Sequence, residues 1–170
     1  MSQFIILAMI AAMMAAEALI SGRNERRLRK AGAIEPAGDL HRWMRVVYPA
    51  GFALMAVEGF LREEASTSQV LSGAAVFAVA KALKYWSIAT LGSLWSFRVL
   101  VVPGAPLVHR GPYRWLRHPN YLGVAGEIIG AAILLNAPGI GSGSTLAFAG
   151  FLWHRMTIEE RALGIDRASH

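Results

Sequence analysis

The chain holds 170 residues, 55% of them hydrophobic and only 16% charged, with a net charge of +6 and a mean hydropathy of +0.41. A soluble domain usually carries about 25% charged residues, so this composition points to a membrane protein. Cysteine is absent, which excludes disulfides, thiolate metal sites and cysteine nucleophiles, and the five scattered histidines form no His-x-x-x-His pair suited to a metal.

Five apolar runs follow one another. The first, 1–20, is long enough to cross a hydrocarbon core of ~30 Å, which takes about 20 helical residues. Its positive charges, Arg23, Arg26, Arg27, Arg29 and Lys30, follow the run rather than precede it. It therefore reads as an uncleaved span and not as a secretory signal. The segment from Ser21 to Lys30 is predicted to continue as a helix along the interface. Gly32, Pro36 and Gly38 then loosen the chain before Trp43, an interfacial anchor. Runs 44–61 and 70–88 give a second and a third span. Runs 122–137 and 144–153 are short and flank Pro138-Gly139-Ile140-Gly141-Ser142-Gly143. The expectation there is a tight helical hairpin around a Pro/Gly/Ser turn, tilted or only partly crossing.

The positive charges set a topology. Segment 22–45 holds seven Lys and Arg, whereas 62–69 holds only Arg62, offset by Glu63 and Glu64. Region 89–121 holds Arg98, Arg110, Arg114 and Arg117, the turn 138–143 none, and the tail Arg155, Arg161 and Arg167. The N-terminus is thus expected outside and the C-terminus in the cytoplasm. Basic residues placed between spans in this way argue against a nucleic-acid surface.

Charges inside spans cost about 2.5–3.5 kcal/mol each at a helix centre on insertion scales. Glu17, Glu58 and Lys81 lie near span ends, where they snorkel or pair. Glu127 lies deeper in its run; pairing with an arginine such as Arg117, capping the hairpin, and a direct role in a site are its alternatives.

The densest polar stretch is Gly111-Pro112-Tyr113-Arg114-Trp115-Leu116-Arg117-His118-Pro119-Asn120-Tyr121-Leu122-Gly123. Pro119 bars His118 from the helical region and suits the first turn of a new helix. That helix is expected to start near Asn120, its N–H groups and dipole facing the polar segment. Arg117 and His118 would add donors there, and Tyr113, Trp115 and Tyr121 aromatic faces. An interfacial collar of Arg, Trp and Tyr is the plainer alternative. Further on, Arg155 and Glu159 share a helix face, either as an ion pair worth a few tenths of a kcal/mol or as an anion holder and a hydrogen-bond acceptor. Gly139-Ile140-Gly141-Ser142-Gly143 follows an apolar run rather than a strand, so it reads as a turn and not as a phosphate loop.

These motifs carry a resemblance. Gly111-Pro112-Tyr113, Arg117-His118-Pro119-Asn120-Tyr121-Leu122-Gly123 and Arg155…Glu159-Glu160-x-x-Leu163 together resemble the isoprenylcysteine carboxyl methyltransferase family. Leu91-Gly92…Val101-Val102-Pro103-Gly104…Leu107-Val108 is similar to it as well. Arg23-Asn24-Glu25-Arg26-Arg27-Leu28…Gly32-Ala33-Ile34-Glu35 resembles a bacterial branch that accompanies lipid-making polyketide synthases. The Arg-His-Pro-Asn-Tyr element is shared with phospholipid methyltransferases and sterol reductases; its combination with the downstream Arg…Glu-Glu is more specific.

The resemblance implies an all-α integral membrane enzyme of about five transmembrane helices, the last two a short hairpin, without a Rossmann domain. Residues 1–88 would hold three spans and the basic linker 22–45, and 89–170 the catalytic, cofactor-binding region. S-adenosylmethionine would bind on the cytoplasmic side of a bacterial plasma membrane, and a lipophilic or prenylated acceptor would enter from the bilayer. By position, cofactor contacts fall on Leu107, Val108, Tyr113, Arg117, His118, Pro119, Asn120, Tyr121 and Glu159. Arg155 matches the position that engages a substrate carboxylate. His118 and Glu160 are base candidates if the acceptor is a phenol or an enol. Methyl transfer from a sulfonium needs alignment and exclusion of water more than a strong base, so the absence of Cys, triad and metal is no obstacle. An NADPH-dependent membrane reductase sharing the Arg-His-Pro-Asn-Tyr element is the alternative activity, and a non-enzymatic scaffold the third.

Overall fold

A computed structural model describes residues 2–62 and 64–164, so Met1, Glu63 and Arg167 of the sequence reading lie outside the described residues. Five helices follow in order: α1 (Ser2–Lys30), α2 (His41–Leu61), α3 (Thr67–Leu91), α4 (Pro119–Leu134) and α5 (Pro138–Ala162). Short 3-10 turns occupy Gly92–Leu94 and Gly111–Arg114. Among the described residues there is no strand, only one isolated antiparallel bridge between Ile34 and Val101. The first three helices are long and apolar enough to cross a membrane, and α4 is a shorter apolar helix. Large apolar side chains point outward along them, among them Phe4 and Ile5 on α1, Leu54 and Phe60 on α2, and Leu71 and Val79 on α3. Water would not tolerate so much apolar surface, whereas lipid requires it. The chain is a membrane protein.

The pairs α1–α2, α3–α4 and α4–α5 pack antiparallel. Gln3 of α1 donates to Gly59 O of α2 at 2.8 Å, and Phe4 meets Phe60 with the rings tilted at 53°. The α3–α4 pair is the most extensive of the helix contacts, and small residues make it so. A Cβ on Gly130 would fall 2.6 Å from Phe77 N, and one on Gly123 would fall 2.9 Å from Lys84 Cβ. Close backbone approach through small residues is how helices associate where lipid removes the hydrophobic drive. By contrast, α1 presents a polar stripe inward. Its buried positions are Ile10, Glu17, Ser21, Asn24 and Leu28, a three-, four- and seven-residue spacing that keeps them on one face.

Two expectations need correction. Residues 138–143 are not a turn but the first turns of α5; the connection is Leu135–Ala137, with Asn136 in the left-handed region at φ 52°. Pro138 suits a helix start, and Glu58 of α2 accepts from Gly139 N at 3.0 Å and Ile140 N at 2.6 Å. The carboxylate thus satisfies N–H groups that a helix start leaves open. Gly141 has no room for a side chain against Ala132, so this glycine serves helix contact rather than flexibility. The run expected at 144–153 lies inside the same helix. Glu127, secondly, does not pair with Arg117. It meets Lys81, Lys84 and Tyr48 in the interior.

The basic stretch 22–30 belongs to α1, as the sequence predicts, so the true linker is 31–40. At this end of the bundle lie the C-termini of α1, α3 and α5 and the N-termini of α2 and α4. The segments carrying Arg117–Tyr121 and Arg155–Glu160 therefore share one end.

Candidate active site

The site begins with a glycine. Gly111 sits at φ 56° with Thr90 and Trp86 where a side chain would be, so the chain turns tightly against α3. The 3-10 turn that follows brings Tyr113 to Ser87. Burial and the Glu159 carboxylate push the Tyr113 hydroxyl well above the usual phenol range, against a hydrogen bond with Ser87 that pulls the other way. It is therefore a neutral donor at any physiological pH.

His118 caps α4 with φ −129° and ψ 59°, and buried Pro119 takes the first helical position. His118 and Tyr121 stack at 5.4 Å with an interplanar angle of 16°. The helix α5 reaches them from the other side. Glu160 Oε1 lies 3.1 Å from His118 Nε2, Glu159 Oε2 lies 3.9 Å from His118 Nδ1, and the Tyr121 hydroxyl donates to Glu159 Oε2 at 2.6 Å. Two motifs distant in sequence are thus one hydrogen-bonded unit.

These groups border a cavity of about 560 Å³. Leu107, Val108, Tyr113, Arg117, His118, Asn120, Tyr121, Arg155 and Glu159 all line it; Pro119 and Glu160 do not. Glu160 acts on His118, and Pro119 on the start of α4.

Arg155 and Glu159 do not form the helix-surface pair considered above. Buried Arg155 donates to Phe97 O at 2.6 Å and to Met44 Sδ at 3.5 Å. Its Nε lies 3.5 Å from Asp39 Oδ1, with no hydrogen-bond partner of its own. Asp39 in turn accepts from Val99 N at 2.9 Å and His41 N at 3.1 Å.

Much of the wall comes from 95–102, of which only Val101 and Val102 belong to a motif. Besides its bonds to Asp39 and Arg155, further ties hold this segment. Asn24 donates to Trp95 O at 2.8 Å and to Gly92 O at 2.9 Å. Phe97 N donates to Ser21 Oγ at 2.8 Å. Val101 pairs with Ile34. Arg98 meets Glu35 at 2.7 Å and Glu25 at 3.4 Å. Partial burial opposes ionisation of Glu35, but the Arg29 and Arg98 guanidiniums outweigh it and hold the carboxyl below the usual range. Trp95 reaches Asn120 Oδ1 at 3.3 Å and packs edge-on to Phe97.

Sequence reasoning missed Asp39, Met44, Tyr48, Lys84, Trp95 and Phe97, all of which touch the cavity or Arg155. For Lys84 a signal existed: a lysine inside an apolar run demands a partner. Asp39 and the aromatic pair 95/97 gave none.

The chain matches the isoprenylcysteine carboxyl methyltransferase family over residues 73–165. This range covers the α3–α4 platform, the wall segment and the motifs on α4 and α5. It resembles YpbQ of Bacillus subtilis, an uncharacterised protein, at 33% identity over 79% of this chain and 80% of that protein. An uncharacterised protein of Haemophilus influenzae is 26% identical over 69% of each chain. The match gives no support to the reductase reading. With its apolar helices and paired motifs accounted for, the chain belongs to the isoprenylcysteine carboxyl methyltransferase family, a family of membrane methyltransferases.

Proposed function

We propose that the protein transfers a methyl group from S-adenosylmethionine to the terminal oxygen of a lipophilic acceptor. The acceptor is an isoprenylcysteine-like carboxylate or the hydroxyl of a phenolic or polyketide lipid. One observation carries this reading: a single cavity joins two unlike surfaces. On one stand Tyr113, His118, Asn120, Tyr121 and Glu159; on the other, Met14, Ala15 and Ala18 of α1 with Met44 and Pro49 of α2. A polar cofactor suits the first, an apolar tail arriving from the bilayer the second.

The residues fit the cofactor. A volume of about 560 Å³ lies inside the ~300–1,000 Å³ usual for small-molecule sites. Glu159 and Asn120 accept hydrogen bonds from an ammonium group or ribose hydroxyls, and Arg117 meets a carboxylate. Trp95, Phe97 and Tyr121 offer aromatic faces to a sulfonium. Arg155 Nε, buried without a hydrogen-bond partner, is a donor that the protein itself leaves unused.

Bound there, S-adenosylmethionine supplies an electrophilic methyl group on a positively charged sulfur. The protein contributes alignment and dryness. Tyr121 occupies Glu159 Oε2, leaving Oε1 for a ligand. Glu160 fixes His118 through Nε2, which sets the ring against Tyr121. A carboxylate acceptor needs no base. For a phenol or enol, His118 Nδ1 takes the hydroxyl proton while Glu160 holds the other nitrogen.

The Asp39–Arg155 contact favours the hydroxyl acceptor. A carboxylate brought to Arg155 would also meet the Asp39 carboxylate 3.5 Å from Nε, and like charges at such range repel. Arg23, Arg26, Arg27, Arg110, Arg114 and Arg117 share the cavity's end of the bundle, which supports a cytoplasmic face in a bacterial plasma membrane. Incubation with radiolabelled S-adenosylmethionine and a membrane lipid extract tests the reading. Protein-dependent label in a lipid is the expected result; label absent from every lipid contradicts it.

A further inference from the structure

Four charges are buried among the helices, and none belongs to the cofactor set. Lys81 Nζ lies 2.7 Å from Glu17 Oε1 and 3.2 Å from Glu127 Oε1. Lys84 Nζ lies 2.7 Å from Glu17 Oε2 and 3.3 Å from Glu127 Oε2. The Tyr48 hydroxyl donates to Glu127 Oε2, and Lys84 Nζ stands 5.6 Å from the Tyr48 ring centroid. An apolar set of equal volume would hold these helices together as well or better. Cohesion alone does not account for the charges, and ionisable residues inside a membrane mark function by default.

Position supplies the function. Glu17, Tyr48 and Lys84 stand in the wall of the same cavity as His118 and Glu159, alongside apolar Met14, Ala18 and Pro49. The cluster also has spare capacity. Lys84 Nζ carries three N–H groups and meets two carboxylate oxygens, Glu17 Oε2 and Glu127 Oε2, so one N–H is left for a ligand.

Resting on the methyl-transfer reading above, we propose that Tyr48, Lys84 and Glu17 form the subsite for the acceptor's head group, an acidic oxygen at the end of an apolar tail. Lys84 Nζ donates to that oxygen, and the Tyr48 hydroxyl turns its single proton from Glu127 Oε2 to it when the head group binds. Glu17 Oε2, 2.7 Å from Lys84 Nζ, holds the ammonium group toward it, and a proton carried by the oxygen is left for His118 Nδ1. Glu17 and Lys84 are 1% and 2% exposed, so the oxygen lies away from bulk water, where charge-assisted hydrogen bonds are strongest. Lys81 and Glu127 balance the pair and fix its geometry. A lipid carboxylate and a lipid phenol both end in such an oxygen, and the Glu17 and Glu127 carboxylates beside Lys84 favour the phenol, as Asp39 does beside Arg155.

The test uses the full chain in lipid nanodiscs and two probes, N-acetyl-S-farnesylcysteine and 5-pentadecylresorcinol, their binding read by tryptophan fluorescence. S-adenosylhomocysteine binding by calorimetry and thermal unfolding are followed in parallel. The variants are Tyr48→Phe and the charge-balanced double change Lys84→Gln with Glu127→Gln. Tyr48→Phe is expected to weaken the preferred probe about fivefold, and the double variant more than about tenfold. S-adenosylhomocysteine affinity should move less than about twofold in either, since no cofactor contact is altered. The probe that binds and responds identifies the head group. Probe affinity unchanged in both variants overturns the subsite and leaves a structural clamp, as does wild-type protein that binds neither probe. Wild-type protein that binds a probe, weakened in the variants, but never S-adenosylhomocysteine would uphold the subsite and remove the methyl-transfer reading.

Discussion

The α3–α4 pair and the attachment of α1 hold helices together by opposite means. Between α3 and α4 the backbones touch through glycines, with Phe77 against Gly130 and Lys84 against Gly123. Across from them, α1 is pegged by polar groups: Glu17 to two lysines, Ser21 to Phe97 N, Asn24 to two carbonyls. The first kind of contact has no alternative arrangement, because a packed backbone cannot slide without opening voids. The second is discrete and directional, made of separate hydrogen bonds at Ser21 and Asn24 and of a charge network at Glu17 that α1 shares with α3 and α4. The rigid pair carries the cofactor end, through Ser87 under Tyr113 and through His118–Tyr121 at the start of α4. The pegged helix supplies Met14, Ala15 and Ala18 to the apolar wall of the cavity, the wall assigned to the lipid in the proposed reaction.

The largest effect should come from unbalancing the buried charges. Lys84→Met leaves two carboxylates with one lysine, and should destabilise by about 3–5 kcal/mol. Removing Lys84 and Glu127 together should cost clearly less than the sum of the single changes, because the two share a network; thermal unfolding in nanodiscs reads both. Gly130→Ala comes next. Its Cβ would fall 2.6 Å from a backbone nitrogen that cannot yield, a cost of about 1–3 kcal/mol from overpacking, with cofactor affinity falling in step as α4 shifts. An unaltered unfolding temperature would mean that this pair is not the rigid element.

Asn24→Ala removes both donors to Gly92 O and Trp95 O; Gly92 O keeps Trp95 N, whereas the buried Trp95 carbonyl left unpaired costs about 1–3 kcal/mol. The account requires this change to loosen segment 95–102, seen as faster amide exchange there, while α3–α4 exchange stays slow. The smallest effect is expected at Glu35, whose ion pairs lie at the surface and contribute within about 1 kcal/mol. Its carboxyl is held below the ordinary value of 4.5. The stabilisation is therefore present above that value and lost as pH falls through the lower, folded-state value. Glu35→Gln should accordingly lower stability at pH 7 and remove the corresponding part of the acid sensitivity.

The polar end was legible because polar residues at a membrane mouth stand out against apolar runs, and because Pro119 announces a helix start. Residues 107–121 and 155–160 are found together at one cavity for that reason. What stayed hidden depends on distance in sequence or on backbone. The lysine partners of Glu127 were not among its alternatives because Lys81 and Lys84 sit in a separate run, and nothing local says that α3 and α4 interlock through glycines. Residues 138–143 looked like a turn since Pro and Gly are turn residues, but the cap that makes them helical, Glu58, comes from α2. Asp39 beside Arg155 and the wall 95–100 carry no motif, and along that wall backbone atoms and ordinary aromatic rings do the contacting.

The central claim is that the unit of His118, Tyr121 and Glu159 is the cofactor side of a methyl-transfer site. Calorimetric titration of S-adenosylhomocysteine into the purified protein tests it most directly. The account predicts saturable binding to the wild type, weakened more than about tenfold by either Glu159→Ala or His118→Ala with the fold retained. No binding to the wild type, or binding unaltered in both variants, would contradict it.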